Sequence, residues 1–207
     1  MTSEFQITEP SGIPQATLLL AHGAGAPMDS DFMTLFAERL ARQSVRVLRF
    51  EFPYMAARRQ GGARRPPSPM PVLLDSFRTH YRAAVAAGPL FVGGKSMGGR
   101  VASLLADELG AAGLICLGYP FHPPGKPERT RTEHLAGLVT PALIVQGTRD
   151  AFGKPGEVAG YALSGQIQVS WLDTGDHDFT PLKRSGLSQA GLIDQAAQRA
   201  AGFMLGR

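Results

Sequence analysis

The chain has 207 residues, 43% hydrophobic and 18% charged, a balance that fits one soluble globular domain over 1–207 and excludes a disordered or fibrous chain. Its single cysteine excludes an internal disulfide and points to a reducing compartment. The net charge of +4 equals the charge of Arg58, Arg59, Arg64 and Arg65, all in the acid-free stretch "YMAARRQGGARRPPSPMP"; the remainder is balanced, which excludes a nucleic-acid-binding face.

The opening "MTSEFQITEP" is polar and acidic and predicts no signal peptide. The apolar runs are strand-sized, well below the roughly 20 residues of a membrane span. A cytoplasmic protein without a membrane partner is expected.

"FQITE" (5–9) reads as an edge strand and "ATLLLAHG" (16–23) as a strand ending in a Gly-rich turn. Residues 29–43 carry Phe32, Phe36 and Leu40 at helical spacing, with Asp29 or Ser30 as cap. "VRVLRFEF" (45–52) is the next strand, and the basic stretch 54–71 reads as a solvated loop. Residues 71–88 predict a helix with Leu73, Phe77, Tyr81 and Val85 inward. "PLFVGG" (89–94) is a strand, and 96–110 a helix with Met97, Val101, Leu105 and Leu109 inward. "GLICLGYP" (113–120), "PALIVQG" (141–147) and "IQVSWLD" (167–173) are further strands, and a helix closes the chain over about 185–205. Cys116, inside one of these apolar runs, reads as a small buried hydrophobe. The alternation predicts an α/β fold with a mostly parallel sheet and helices on both faces. In such sheets function gathers at the carboxyl edge of the strands.

The stretch "LFVGGKSMGGR" (90–100) has two readings. A phosphate loop needs G-x-x-x-x-G-K-[ST], but the first glycine position is Pro89, and the intervening residues are the strand itself. No loop is left to wrap a phosphate. The other template is G-x-S-x-G, met by Gly94-Lys95-Ser96-Met97-Gly98. A serine presented on a sharp strand-to-helix turn needs very small residues two before and two after it. Gly94 and Gly98 comply, with a strand before and a helix after.

A serine hydroxyl needs a base, and the base needs an orienting carboxylate. Asp150 follows one later strand and His177 the next, in the chain order this fold type uses. Asp173, Asp176 and Asp178 are rival carboxylates; immediate neighbours of His177 rarely have the geometry to hold its ring, so Asp150 is preferred. "DHD" has no accompanying cluster of metal-ligand spacing, so neither metal nor cofactor is called for. The oxyanion donors should be the N–H of Met97 and one from "HGAGAP", Ala24 first and Gly25 as alternate. His22 reads as a brace for that loop.

Together "AHGAGAPMDSDFM", "GGKSMGGR", "LGYPFHPPGKP", "GTRDAFG" and "GDHDF" resemble a small α/β-hydrolase-fold family of predicted bacterial hydrolases. That family also includes a testis-expressed protein and a subunit of a histone-acetyltransferase regulatory complex. The resemblance spans nearly the whole chain. It implies an α/β-hydrolase core and a triad at Ser96, Asp150 and His177, and it implies no substrate.

The core elements consume nearly all 207 residues, so no separate cap domain is expected. The loops 54–71 and 119–135 leave the carboxyl edge and are expected to form the rim. Arg58, Arg59, Arg64 and Arg65 would there favour acidic substrates, with His122 and Lys95 also lining the site. The favoured reading is a serine hydrolase acting on a small-molecule ester or thioester. The alternative is an α/β-hydrolase fold kept as a non-catalytic interaction module. The sequence sets no oligomeric state.

Overall fold

In the computed structural model, which describes residues 5–206, one seven-stranded sheet runs through the molecule. Its strands are β1 (Gln6–Thr8), β2 (Ala16–Ala21), β3 (Val45–Phe50), β4 (Leu90–Lys95), β5 (Leu114–Leu117), β6 (Ala142–Gly147) and β7 (Ile167–Leu172). They lie in the order β1-β3-β2-β4-β5-β6-β7. Only β1 is antiparallel, pairing Ile7 with Leu48; every other pair is parallel. The first four residues of the polar opening, and Arg207, lie outside the described residues.

β2, β5 and β6 are buried at every position, because helices cover both faces of the sheet. Side chains alternate between two cores. Leu18, Leu20, Val47, Ile115 and Val145 face α1 (Asp31–Ala41) and α6 (Gln189–Leu205), the latter following the one-turn α5 (Pro155–Val158) in the chain. Leu19, Ala21, Leu48, Cys116 and Ile144 share the other core with α3 (Met70–Ala83) and α4 (Met97–Leu105). Each fully buried Leu or Ile contributes about 1.5–3 kcal/mol from surface removed from water.

The structure departs from the sequence expectations mainly at element ends and in 54–71. That stretch is not one loop: residues Pro53–Arg59 form helix α2, with Tyr54 and Met55 buried beneath it. Pro53 sits in the first turn, where its missing N–H costs nothing. The end of α2 is set by Gly61 (φ 89): Gly61 N–H donates to the Arg58 carbonyl and Gly62 N–H to the Ala57 carbonyl. This pair of bonds reverses the chain at a left-handed residue that glycine adopts without strain.

Helix α3 stops at Ala83, because Ala84 turns extended, and Val85 is exposed rather than inward. Helix α4 ends at Leu105 and continues only as turns to Gly110. Helix α6 starts at Gln189, where the Ser188 hydroxyl accepts from the Gly191 N–H. A short 3-10 turn, Lys183–Ser185, ends where the closing helix is expected to begin.

Candidate active site

Ser96 sits between β4 and α4 with φ 51 and ψ −115, a conformation that costs a non-glycine residue on the order of 1–3 kcal/mol. Its surroundings over-determine that backbone. Ser96 N–H donates to the Leu117 carbonyl at 2.9 Å, tying the turn to the end of β5. A Cβ on Gly98 would fall 2.6 Å from the carbonyl oxygens of both Ala21 and His22, and one on Gly94 would overlap the backbone of Gly98 and Gly99. Strand and helix therefore meet backbone to backbone, and the Ser96 side chain is left at the carboxyl edge.

His177 reaches this edge from the loop after β7. Its Nε2 lies 2.9 Å from Ser96 Oγ, and its Nδ1 lies 2.8 Å from Asp150 Oδ2. Asp150 is fully buried in the loop after β6. Its two oxygens are fully engaged: Oδ1 accepts from the Phe152 N–H at 2.8 Å, and Oδ2 accepts from Gln146 Nε2 at 2.9 Å as well as from His177. A carboxylate with three donors and no solvent acts only as an acceptor, so the His177 proton resides on Nδ1. Nε2 is then free to accept from the Ser96 hydroxyl.

Room for the imidazole comes from Gly118 (φ 64), where a Cβ would fall 3.3 Å from His177 Nδ1. The Phe152 ring covers it at 4.3 Å between centroids. The loop carrying His177 enters through Thr174 (φ 58) and leaves through Phe179 (φ 60), two further left-handed positions without glycine. Phe179 is fully buried and packs on Phe32, which anchors the loop.

The rival carboxylates have other partners. Asp176 accepts from the Asp178 and Thr180 N–H groups, Asp173 from the Thr174 N–H, and Asp178 pairs with Lys95. Among the described residues, no group of three or more His, Cys, Asp or Glu is arranged to hold a metal ion.

The loop after β2 lies against the Ser96 turn: a Cβ on Gly23 would fall 3.7 Å from Ser96 Cβ. His22 is buried and bridges this loop to the next strand. Its Nε2 accepts from the Phe52 N–H at 3.1 Å, so Nδ1 carries the proton and donates to the Gly23 carbonyl at 2.6 Å. Burial holds the His22 pKa below its ordinary value, which keeps this neutral tautomer in place. The Tyr54 hydroxyl donates to the Ala24 carbonyl at 2.9 Å and lies 3.3 Å from that of Gly23. Burial, with a smaller push from Glu51, drives the Tyr54 pKa up to about 12, so it remains a donor. A trans peptide points its N–H opposite its carbonyl, so the donors on the Gly23 and Ala24 carbonyls fix the orientation of the Ala24 and Gly25 N–H groups. The Ala24 and Met97 N–H groups bond to no other described residue.

Three expected rim residues lie elsewhere. Arg59 is held by Glu51, through bonds of 3.0 and 2.7 Å, and by Asp29 at 2.9 Å, so it ties α2 to the start of α1. His122 is only 2% exposed; its ring lies 3.3 Å from Glu157 and 2.8 Å from the Pro123 carbonyl, and its backbone N–H donates to the Phe152 carbonyl. Lys95 is 6% exposed and lies beneath the His177 loop. Arg58, Arg64 and Arg65 are exposed and surround a concavity that reaches Ala24.

Gln146 and Tyr54 were not legible as site residues. Gln146 is an ordinary polar residue at the end of an apolar strand, and no spacing links it to Asp150. Tyr54 sits in a stretch whose arginines and glycines dominate its composition.

A mostly parallel sheet between helical layers, with Ser96, Asp150 and His177 brought together at its carboxyl edge, defines an α/β-hydrolase fold. The chain belongs to the alpha/beta hydrolase domain family, whose model matches residues 14–205. Solved structures agree on the fold. An alpha-beta serine hydrolase homologue from Coxiella burnetii superposes with a TM-score of 0.71 at 18% identity, covering 95% of this chain and 89% of that one. Est1E from Butyrivibrio proteoclasticus gives 0.70 at 14% identity, with 97% and 93% covered. Dienelactone hydrolase from Anabaena variabilis gives 0.67 at 19%, with 97% and 89% covered. At these identities the likeness is one of fold. Among the described residues no helix is long and apolar enough to cross a membrane.

Proposed function

We propose that the protein is a serine hydrolase that cleaves a carboxylic ester or thioester through an acyl-enzyme. The observation that carries this reading is the continuous relay from Ser96 Oγ to His177 Nε2, and from His177 Nδ1 to Asp150 Oδ2, at 2.9 and 2.8 Å. Distances in this range suit proton transfer in both directions.

In this mechanism Ser96 Oγ attacks the substrate carbonyl while His177 Nε2 takes the hydroxyl proton. The imidazolium that forms is stabilised by buried Asp150, whose other donors keep it oriented. The charge developing on the carbonyl oxygen is met by the Met97 and Ala24 N–H groups and by the N-terminus of α4. His177 then gives its proton to the leaving oxygen or sulfur. Water enters and attacks the acyl carbon while His177 Nε2 takes its proton; the tetrahedral intermediate then collapses as His177 returns that proton to Ser96 Oγ, which frees Ser96 and the acid. Est1E and the serine hydrolase homologue from Coxiella burnetii share the fold on which we place this chemistry.

The motif blocks around Ser96, Asp150 and His177 also lead us to infer kinship with the bacterial hydrolases and their testis-expressed and acetyltransferase-complex relatives. A reducing, cytoplasmic setting suits a chain whose one cysteine, Cys116, is buried and unpaired.

The test is hydrolysis of short-chain p-nitrophenyl esters and acyl thioesters by wild type and Ser96→Ala. Turnover that falls to background in folded Ser96→Ala supports the reading. Equal rates in both proteins overturn it.

A further inference from the structure

The concavity beside Ala24 is built by helix α2 and the segment that follows it. Helix α2 leaves the carboxyl edge of β3, and the Gly61–Gly62 turn sends the chain back on itself. The returning segment brings Arg64, Arg65 and Pro67 opposite Arg58 and Tyr54. Together with Ala24 they line a cavity of about 340 Å³. Among the described residues Arg58, Arg64 and Arg65 make no ion pair with any carboxylate, whereas Arg59, one residue along the same helix, is shared by Glu51 and Asp29. The helix thus uses one arginine to anchor itself and leaves the others around an unneutralised hollow.

Ala24 belongs to both places. Its carbonyl is held by Tyr54, which itself lines the cavity, and its N–H bonds to no other described residue. A substrate whose carbonyl engages that N–H therefore has one of its two arms starting at the mouth of the hollow. Guanidinium groups bind the oxygens of carboxylate and phosphate groups through planar paired donors, and three of them converging on one space suit a single anionic terminus.

We infer that this cavity is the seat of an anionic terminus of the substrate, carboxylate or phosphate, remote from the scissile carbonyl. The inference rests on the serine-hydrolase reading and assigns its substrate class: esters or thioesters of anionic character. Arg58, Arg64 and Arg65 are its specificity residues, and Arg59 is not.

The test compares matched p-nitrophenyl esters whose acyl chains end in methyl, carboxylate or phosphate, together with a second matched set carrying the terminus on an alkyl alcohol. Expected is a kcat/KM ratio of anionic over neutral of about tenfold or more in one set. That ratio should shrink as salt rises. The Arg58→Gln/Arg64→Gln/Arg65→Gln variant should bring it near one, while Arg42→Gln/Arg82→Gln/Arg184→Gln, which removes equal charge elsewhere, should keep it. Carboxylate and phosphate arms report which anion fits better. A ratio near one in both sets, or one the cavity variant leaves intact, overturns the seat. If wild type still reacts with a fluorophosphonate at Ser96, the hydrolase reading survives that failure. No labelling and no turnover in folded protein overturns both.

Discussion

The Lys95 ammonium lies 3.2 Å from the Asp178 carboxylate, joining the residue before Ser96 to the residue after His177. Lys95 is buried, and its Nζ also sits 5.4 Å from the centre of the Phe32 ring. Burial lowers its pKa, opposed by Asp178 and more weakly by Asp150 and Asp176. The pair spans the two loops whose spacing sets the Ser96–His177 hydrogen bond.

Replacing Lys95 with Met should therefore separate stability from activity. An apolar chain of similar length removes a buried charge, and the abandoned Asp178 is largely exposed, so the melting temperature should hold or rise. The His177 loop loses its tie, and kcat should fall about tenfold or more with little change in KM. Thermal melts and ester kinetics on the same preparation check both halves.

Asp150→Asn should keep the fold and lower kcat by about a thousandfold or more, because the amide no longer favours the Nδ1-protonated tautomer or stabilises the imidazolium. Initial rates on a p-nitrophenyl ester, with circular dichroism for the fold, measure this.

Tyr54→Phe should release the Ala24 carbonyl, while His22 still holds that of Gly23, and loosen the turn that carries the Ala24 N–H. The expected loss in kcat is about tenfold to a hundredfold. Since the Tyr54 hydroxyl ionises only at about 12, the wild-type contribution should be constant up to pH 10. A kcat profile of both proteins between pH 7 and 10 tests the assignment.

Stability should fall as pH drops below about 6.5. Burial lowers the pKa of His22, His80 and His134 from that ordinary value, so below it the unfolded chain binds protons that the folded chain refuses. About one unit or more above 6.5 all three are neutral in both states and add no pH dependence. Melting temperatures from pH 8 to 5 should be flat, then descend, and His80→Gln should soften the descent.

Gly98→Ala should be among the most damaging single-methyl changes in the chain. The added carbon meets the Ala21 and His22 carbonyls at 2.6 Å, and both belong to backbone that cannot retreat without opening the sheet. A loss of about 1–3 kcal/mol is expected in urea unfolding, together with loss of turnover.

Much of this was legible in the sequence because its signals are local. Gly94 and Gly98 around Ser96 report a steric demand of the turn itself, and the doubly buried strands declare themselves as continuous apolar runs. Asp150 and His177 were legible by their positions after successive strands. Pro53 and Gly61 bracket α2 as a helix start and stop, but seven residues between a Pro and a Gly-rich run carry little periodicity. What the sequence hid were partnerships between distant segments. Arg59 reads like its three neighbours until Glu51 and Asp29 are seen to hold it. Lys95 and His122 are charged or polar by type and buried by context, and only the packing of Phe32 against Lys95 and the approach of Glu157 to His122 reveal that.

The most direct measurement of the central claim is intact-mass analysis after treatment with a fluorophosphonate. The account predicts one adduct per chain, mapped by peptide sequencing to Ser96, abolished in Ser96→Ala and slowed by at least tenfold in His177→Ala. A folded wild-type protein that takes up no adduct, or takes it up equally after Ser96→Ala, would contradict it.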